Sequence, residues 1–129
     1  MARKRDKRGR EGPRRRKISE MIWEFAGDFI GMAETAEQRQ SHLNAACSAW
    51  NISCNPPALE KALDQYMREY QRLNPNADQV SLAGVRSDME KLIQRKLEMF
   101  PGDLRQIVGA QVVRVGDEDC IEAMSVTVG

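Results

Sequence analysis

Ten basic side chains lie within the first seventeen residues, and they offer the clearest chemistry in the chain. They are Arg3, Lys4, Arg5, Lys7, Arg8, Arg10, Arg14, Arg15, Arg16 and Lys17. With two acidic residues, the segment 1–17 carries a net charge of +8, whereas residues 18–129, with ten basic and seventeen acidic side chains, carry −7. Guanidinium groups bind phosphate oxygens in a bidentate geometry. This segment, the basic arm, predicts non-specific contact with nucleic-acid phosphates.

The composition of the basic arm leaves other roles open. No aromatic residue lies in it, so we expect neither base stacking nor discrimination between sequences. An acidic protein partner, a nuclear-localisation-like patch in a eukaryotic host and a solubilising role are the alternatives. Gly9, Gly12 and Pro13 interrupt any helix, and Met1 and Ala2 are the apolar residues of the arm. The sequence therefore predicts that the arm is disordered in isolation.

Acidic residues form a second pattern in the first predicted helix. Glu20, Glu24 and Asp28 recur at a spacing of four and therefore share one face. This face could bind the basic arm of the same chain, or a divalent cation through Glu24 and Asp28. No Glu-x-x-His motif completes a metal site. We expect a solvated polar face, with no metal and no cofactor.

Nucleophilic catalysis requires a base close to its nucleophile, and His42 and Cys47 are the pair to consider. Their spacing of five residues on a helix turns the side chains apart by well over a right angle. Asp117 to Asp119 form an acidic run without the spacing and the distal glutamate of a calcium loop. We therefore predict a protein that is not an enzyme.

Trp23, Gly27 and Gly31 are candidates for binding a protein partner. Trp23 lies at the margin of the apolar stripe of the first helix, where we expect it to be partly exposed, whereas Trp50 should be buried. Gly27 and Gly31 would permit close approach of a partner backbone. A simpler interpretation is that the first helix bends or ends at Gly31.

Four helices and a hairpin must position these side chains. Apolar residues recur at intervals of three and four in the helices and alternate in the strands. Thr35 and Gln38 match a capping box, Asn55 can cap the third helix, and Pro101 ends the fourth. The predicted helices are about 19–33, 36–50, 56–73 and 79–99, and the predicted strands are about 106–115 and 120–128, around a turn at 116–119.

These elements predict an α+β domain, mainly α, over residues 18–129: a small four-helix bundle followed by a C-terminal β-hairpin. A two-stranded hairpin alone is marginally stable in water. We therefore expect it to lie on the helices, with a helix of the same chain covering its edge, or to pair with a second copy as a homodimer.

Composition limits the cellular setting and the classes of function. No apolar stretch is long enough to cross a membrane, and no apolar segment of a signal peptide follows the basic residues. Cys47, Cys54 and Cys120 form an odd set without a Cys-x-x-Cys spacing, which indicates reduced thiols and a cytoplasmic protein, or a nuclear one in a eukaryote.

Three functions follow from the sequence. The first is a nucleic-acid-binding protein that acts through the basic arm, and the second is a protein-interaction adaptor that uses Trp23 and the hairpin edge. The third is a small enzyme of unknown reaction, which a deep pocket gathering His42 with two carboxylates would favour.

Overall fold

The computed structural model describes residues 16–127 and shows four helices followed by an antiparallel hairpin. This confirms the predicted α+β class, mainly α. Residues 1–15 of the basic arm, and the disorder predicted for them, lie outside the described residues. The elements are α1 (Ile18–Gly31), α2 (Ala36–Ser53), a 3-10 turn (Pro56–Ala58), α3 (Leu59–Leu73), α4 (Gln79–Met99), β1 (Arg105–Val115) and β2 (Glu118–Thr127).

The helix termini follow from local hydrogen bonds. The Thr35 hydroxyl accepts from the Gln38 amide at 3.1 Å, and the Gln38 side chain accepts from the Thr35 amide at 3.2 Å, as the predicted capping box requires. Asp78 caps α4 by accepting from the Ser81 amide at 2.8 Å. α1 ends at Gly31, two residues before the predicted terminus.

The connection between α2 and α3 differs from the sequence prediction. α2 continues to Ser53, whose buried hydroxyl donates to the Trp50 carbonyl at 2.6 Å. Asn55 makes no side-chain capping bond. Instead, the Ala58 amide donates to the Asn55 carbonyl at 3.0 Å, and the prolines between them form the 3-10 turn. α3 therefore begins at Leu59, because proline fixes φ for this turn and has no amide to donate.

Trp50 on α2 lies at the centre of the core and is fully buried, as predicted. Its indole meets the Phe25 ring of α1 edge-on, with centroids 5.6 Å apart, and the Phe100 ring at 5.9 Å. The other large apolar side chains that are wholly buried come from all four helices: Ile22, Ile30, Leu43, Leu63 and Met89. Because α2 contacts α1, α3, α4 and β1, it is the element on which the others pack.

The hairpin turns at two residues, Gly116 and Asp117, and Val115 pairs with Glu118. Gly116 has φ of +65°, which the first position of a primed hairpin turn requires. β2 therefore begins at Glu118, two residues before the predicted strand. The register shifts between Ile107 and Gly109, where β1 carries a bulge.

Side-chain amides of α2 bond the outer edge of β1. The Asn51 amide nitrogen donates to the Ile107 carbonyl at 2.9 Å, and its oxygen accepts from the Ile107 amide at 2.8 Å. Gln40 in the same way donates to the Ala110 carbonyl at 3.1 Å and accepts from the Val112 amide at 2.9 Å. These bonds take the place of a neighbouring strand. A helix of the same chain therefore covers this edge, one of the two predicted arrangements.

The sequence predicted no segment that is long and apolar enough to cross a membrane. Within residues 16–127, no helix combines the length and the apolar character needed to cross a bilayer.

Replacing Asn51 with alanine should destabilise the protein by about 2–3 kcal/mol, because the Ile107 amide and carbonyl both lose their partner. Urea denaturation of the full chain measures this change. Gln111→Ala is the control, since it removes an exposed cross-strand bond to Glu122 and should cost less than about 0.5 kcal/mol. Equal losses in the two variants would contradict the role of Asn51 at the edge.

Candidate functional site

Arg16 and Lys17 are the residues of the basic arm that the structure describes, and both are exposed. The Arg16 guanidinium forms a two-pronged ion pair with the Glu24 carboxylate, with Nη1 at 3.1 Å from Oε1. The Arg16 carbonyl accepts a hydrogen bond from Nη1 of Arg105 at 2.9 Å. Of the two described arm residues, Arg16 therefore contacts the acidic face of α1, and that contact is solvent-exposed.

Trp23 and Gly31 lie at a cavity beside the hairpin tip. Its volume is about 450 Å³, and its other lining residues include Ile30, Arg39, Val112 and the segment from Glu118 to Ile121. Trp23 is 47% exposed, which agrees with the expected partial exposure. Two of the three candidate partner-binding residues therefore meet the hairpin at one site.

The two glycines of α1 have different surroundings. A Cβ built on Gly27 would lie 3.5 Å from the Trp23 ring, so the indole lies over Gly27 and Gly27 does not line the cavity. At Gly31 a Cβ would meet no atom within 4 Å. Close backbone approach is therefore not the reason for a glycine at 31, where α1 ends.

A second groove lies between α2, α3, α4 and the C-terminal end of α1. Its volume is about 490 Å³. It gathers His42 with the carboxylates of Glu69 and Asp88 and with the phenols of Tyr66 and Tyr70. We call it the tyrosine groove. His42 therefore shares this groove with two carboxylates, both of which are exposed and not held in a deep pocket.

The tyrosine groove does not contain a thiolate nucleophile. Cys47 is buried and does not line the groove, and burial raises the pKa of its thiol to about 11. His42 instead bonds the backbone, with Nδ1 2.7 Å from the Phe29 carbonyl oxygen, and its ring stacks on the Phe29 ring at 4.4 Å. Among the described residues, the groove therefore lacks the Cys47–His42 pair that the sequence offered for nucleophilic catalysis.

The groove was not predicted from the sequence. Leu63 is the one residue of α3 that is buried, and Tyr66 and Tyr70 are half-buried. The sequence did contain a signal for the groove. Two tyrosines one helical turn apart each carry a hydroxyl, which favours a position at a solvent-exposed edge of the core. The crossing of three helices that encloses them could not be derived from the apolar periodicity.

A buried polar cluster joins α4 to the start of β1, and sequence reasoning missed it as well. Lys96 is fully buried, with Nζ on the Asp103 carbonyl and 4.7 Å from the Trp50 ring centroid. Arg105 is 8% exposed, and its Nε donates to Oδ1 of Asp103 at 2.9 Å. Trp50 Nε1 donates to the Arg105 carbonyl at 2.8 Å. Because its polar groups bond to one another, this cluster is structural.

Burial and charge act in opposite directions on the pKa values of this cluster. Burial lowers the pKa of Lys96, although the neighbouring Cys54 and Asp103 raise it in part. Burial also raises the pKa of Asp103, but hydrogen bonds and positive charge from Arg105, together with Lys96, outweigh it and hold that pKa below its usual value. The Asp103 carboxylate is therefore ionised in the folded protein at neutral pH.

Within residues 16–127, no three His, Cys, Asp or Glu side chains are arranged to hold a metal ion. No protein-family model matches the chain, and no curated protein or solved structure matches it significantly. Function must therefore be argued from these residues and their geometry.

The pKa of Asp103 predicts how stability depends on acid. Since the folded-state pKa lies below the unfolded value, the ionised carboxylate stabilises the fold above about pH 4, and this contribution is lost as pH falls through the folded-state pKa. Asp103→Asn should be less stable at neutral pH and lose less stability than the wild type between about pH 5 and pH 2. Urea denaturation at each pH measures both. The exposed control Asp28→Asn should keep the wild-type profile.

Proposed function

We propose that this is a non-enzymatic binding protein that contacts nucleic-acid phosphates non-specifically through its basic arm. The observation that carries the proposal is the separation of charge, with +8 in residues 1–17 and −7 in residues 18–129. An acidic body repels a polyanion, so the attraction is concentrated in the arm. Arginine and lysine there release counterions from the phosphates, which makes the affinity depend strongly on salt.

The start of the described chain supports this arrangement. The Arg16 carbonyl is held by Arg105, whose guanidinium is paired with Asp103 in the buried cluster. The backbone at the root of the arm therefore has a fixed position on the body. The Arg16 ion pair with Glu24 is exposed and contributes little, so a phosphate can compete for this guanidinium.

An acidic protein is the alternative partner of the basic arm, because it offers carboxylates in place of phosphates.

The state of the cysteines bears on the cellular compartment. Cys47, Cys54 and Cys120 are all free thiols. They support our proposal of a cytoplasmic protein, or of a nuclear one in a eukaryotic host.

Deleting residues 1–15 should abolish binding to a labelled 20-base-pair duplex, because it removes eight basic side chains and two acidic ones. The deletion stops before Arg16, since the Arg16 carbonyl bonds Arg105 and a longer deletion would disturb the body. Fluorescence anisotropy over a salt series measures the affinity. For the full chain, the logarithm of the binding constant should fall by about 0.9 per phosphate contact for each tenfold rise in salt.

Lys91→Ala is the matched control, because it removes an exposed positive charge from the body and should leave the affinity unchanged. Undiminished binding by the truncated chain would refute the role of the arm. Nuclease treatment separates the two partners: if the arm binds nucleic acid in cells, treatment should lower the ratio of absorbance at 260 and 280 nm of the purified full chain, and a bound acidic protein would survive it.

A second candidate function is a protein-interaction adaptor, favoured by the half-exposed Trp23 at the cavity beside the hairpin tip. Large aromatic side chains at the mouth of a pocket are frequent anchors of interfaces. α2 occupies the outer edge of β1, which directs any added strand to β2. Met124 and Val126 of β2 are exposed, so we propose that a second copy would pair there.

Trp23→Ala should weaken such an interface at least about tenfold, because it removes the aromatic anchor. Light scattering after size exclusion measures binding of a second copy, and quantitative capture by the full chain measures binding of a different protein. Val80→Ala is the control, since Val80 is 82% exposed on α4 and lies outside the cavity. Binding that survives 0.5 M salt and is insensitive to Trp23→Ala would argue against this surface.

A further inference from the structure

The tyrosine groove has the size and composition of a small-molecule site. Its volume of about 490 Å³ lies within the range of about 300–1,000 Å³ that is usual for ligand pockets. Its lining combines apolar and aromatic side chains with a few polar groups, and it draws on α1, α2, α3 and α4. Neither the proposed nucleic-acid contact nor the Trp23 cavity uses this groove.

Apolar surface in the groove is left open by the packing of α3. Met89 forms a buried part of the lining, while Met32 is 72% exposed and Leu73 is 63% exposed. Tyr66 and Tyr70 are half-buried between them. Methionine adapts its shape to an apolar body, and tyrosine offers a large ring with a polar hydroxyl. A ligand with an aromatic or aliphatic part would therefore remove this surface from water.

The charged groups of the groove are all acidic. Glu69 and Asp88 line it, and no lysine or arginine does, among the residues that the structure describes. Glu69 is paired with Arg72 on α3. The Asp88 side chain makes no hydrogen bond or ion pair to any residue of the described chain. Asp88 therefore offers a carboxylate that a cation can neutralise.

His42 adds an imidazole to the same groove. A backbone carbonyl only accepts hydrogen bonds, so the contact with Phe29 assigns the proton to Nδ1 of His42. In the neutral imidazole, Nε2 is then an acceptor. Burial raises the pKa of Tyr66, with a smaller contribution from Tyr70, so Tyr66 remains an uncharged phenol. The aromatic faces of Tyr66 and Tyr70 and the Asp88 carboxylate together complement a positive charge.

We propose that the tyrosine groove binds a small organic cation, an amine carried on an aromatic or aliphatic body. The body of the ligand lies against Tyr66, Tyr70 and the methionines, and its ammonium group meets Asp88. Anions of similar shape are rejected, because the groove contains no positive side chain to receive them.

Three probes of similar size test the charge preference: 2-phenylethylamine, the neutral 2-phenylethanol and the anionic 3-phenylpropionate. Titration of the full-length, ¹⁵N-labelled protein should show shifts of backbone amides confined to the groove, in the segments 29–32, 41–48, 66–74 and 85–89. We expect the amine to bind at least about tenfold more tightly than the alcohol, and the carboxylate not to bind.

Asp88→Asn should weaken binding of the amine about two- to fivefold and leave binding of the alcohol unchanged, because it removes an exposed charge and keeps the shape of the side chain. Glu90→Gln is the matched control on α4, since Glu90 pairs with Arg86 and does not line the groove. The proposal is overturned by any of three results: equal binding of the amine and the carboxylate, an unchanged affinity in Asp88→Asn, or shifts that centre on the acidic face of α1. Nucleic-acid binding by the arm would be unaffected by each of them.

Discussion

The attachment of the hairpin to α2 is the constraint on which the remaining structure depends. A two-stranded sheet has too little apolar surface to be stable alone, so its position must come from bonds to the helices. Adjacent residues of α2 supply them: Trp50 donates to the Arg105 carbonyl, and Asn51 bonds both backbone groups of Ile107. The indole that carries the first of these bonds is also the centre of the apolar core. Core packing and hairpin position are therefore set by one helical turn.

The buried charges near this attachment are stable because each has a partner. Asp103 is paired with Arg105, and its backbone carbonyl receives the Lys96 ammonium, which also lies on the Trp50 ring. Removing one partner from such a set leaves a charge buried without compensation, which is more costly than never burying the pair. This cost ties the end of α4, the start of β1 and the root of the basic arm into one cooperative unit, because Arg105 also bonds the Arg16 carbonyl.

This packing leaves three separate surfaces that are available for function. The backbone of Arg16, at the end of the basic arm, is bonded to the body, Trp23 borders a cavity at the hairpin tip, and the tyrosine groove opens between α2, α3 and α4. These surfaces differ in charge and polarity: one is cationic, one is centred on an exposed indole, and one is aromatic and acidic. They can therefore take chemically different partners without competing for the same residues.

Most of the secondary structure could be predicted, because its causes are local. The apolar periodicity located the four helices, and the capping box at Thr35 is present as predicted. Two predicted boundaries were wrong because a different turn forms there. The consecutive prolines after Asn55 form a 3-10 turn, so α3 begins later than predicted, and a primed two-residue turn at Gly116 makes β2 begin earlier. Of the candidate site, the sequence identified Trp23 and Gly31, whereas the tyrosine groove was not foreseen.

The sequence by itself determined the charged arm, the acidic body and the order of the elements, since net charge and periodicity require no knowledge of distant contacts. Only the tertiary structure decided which edge of the hairpin is covered and which side chains share a groove. Gln40 and Ala110 are separated by 70 residues, and Tyr66 and His42 lie on different helices. Such pairings depend on how helices cross, and the crossing is set by the whole set of core side chains and not by any local pattern.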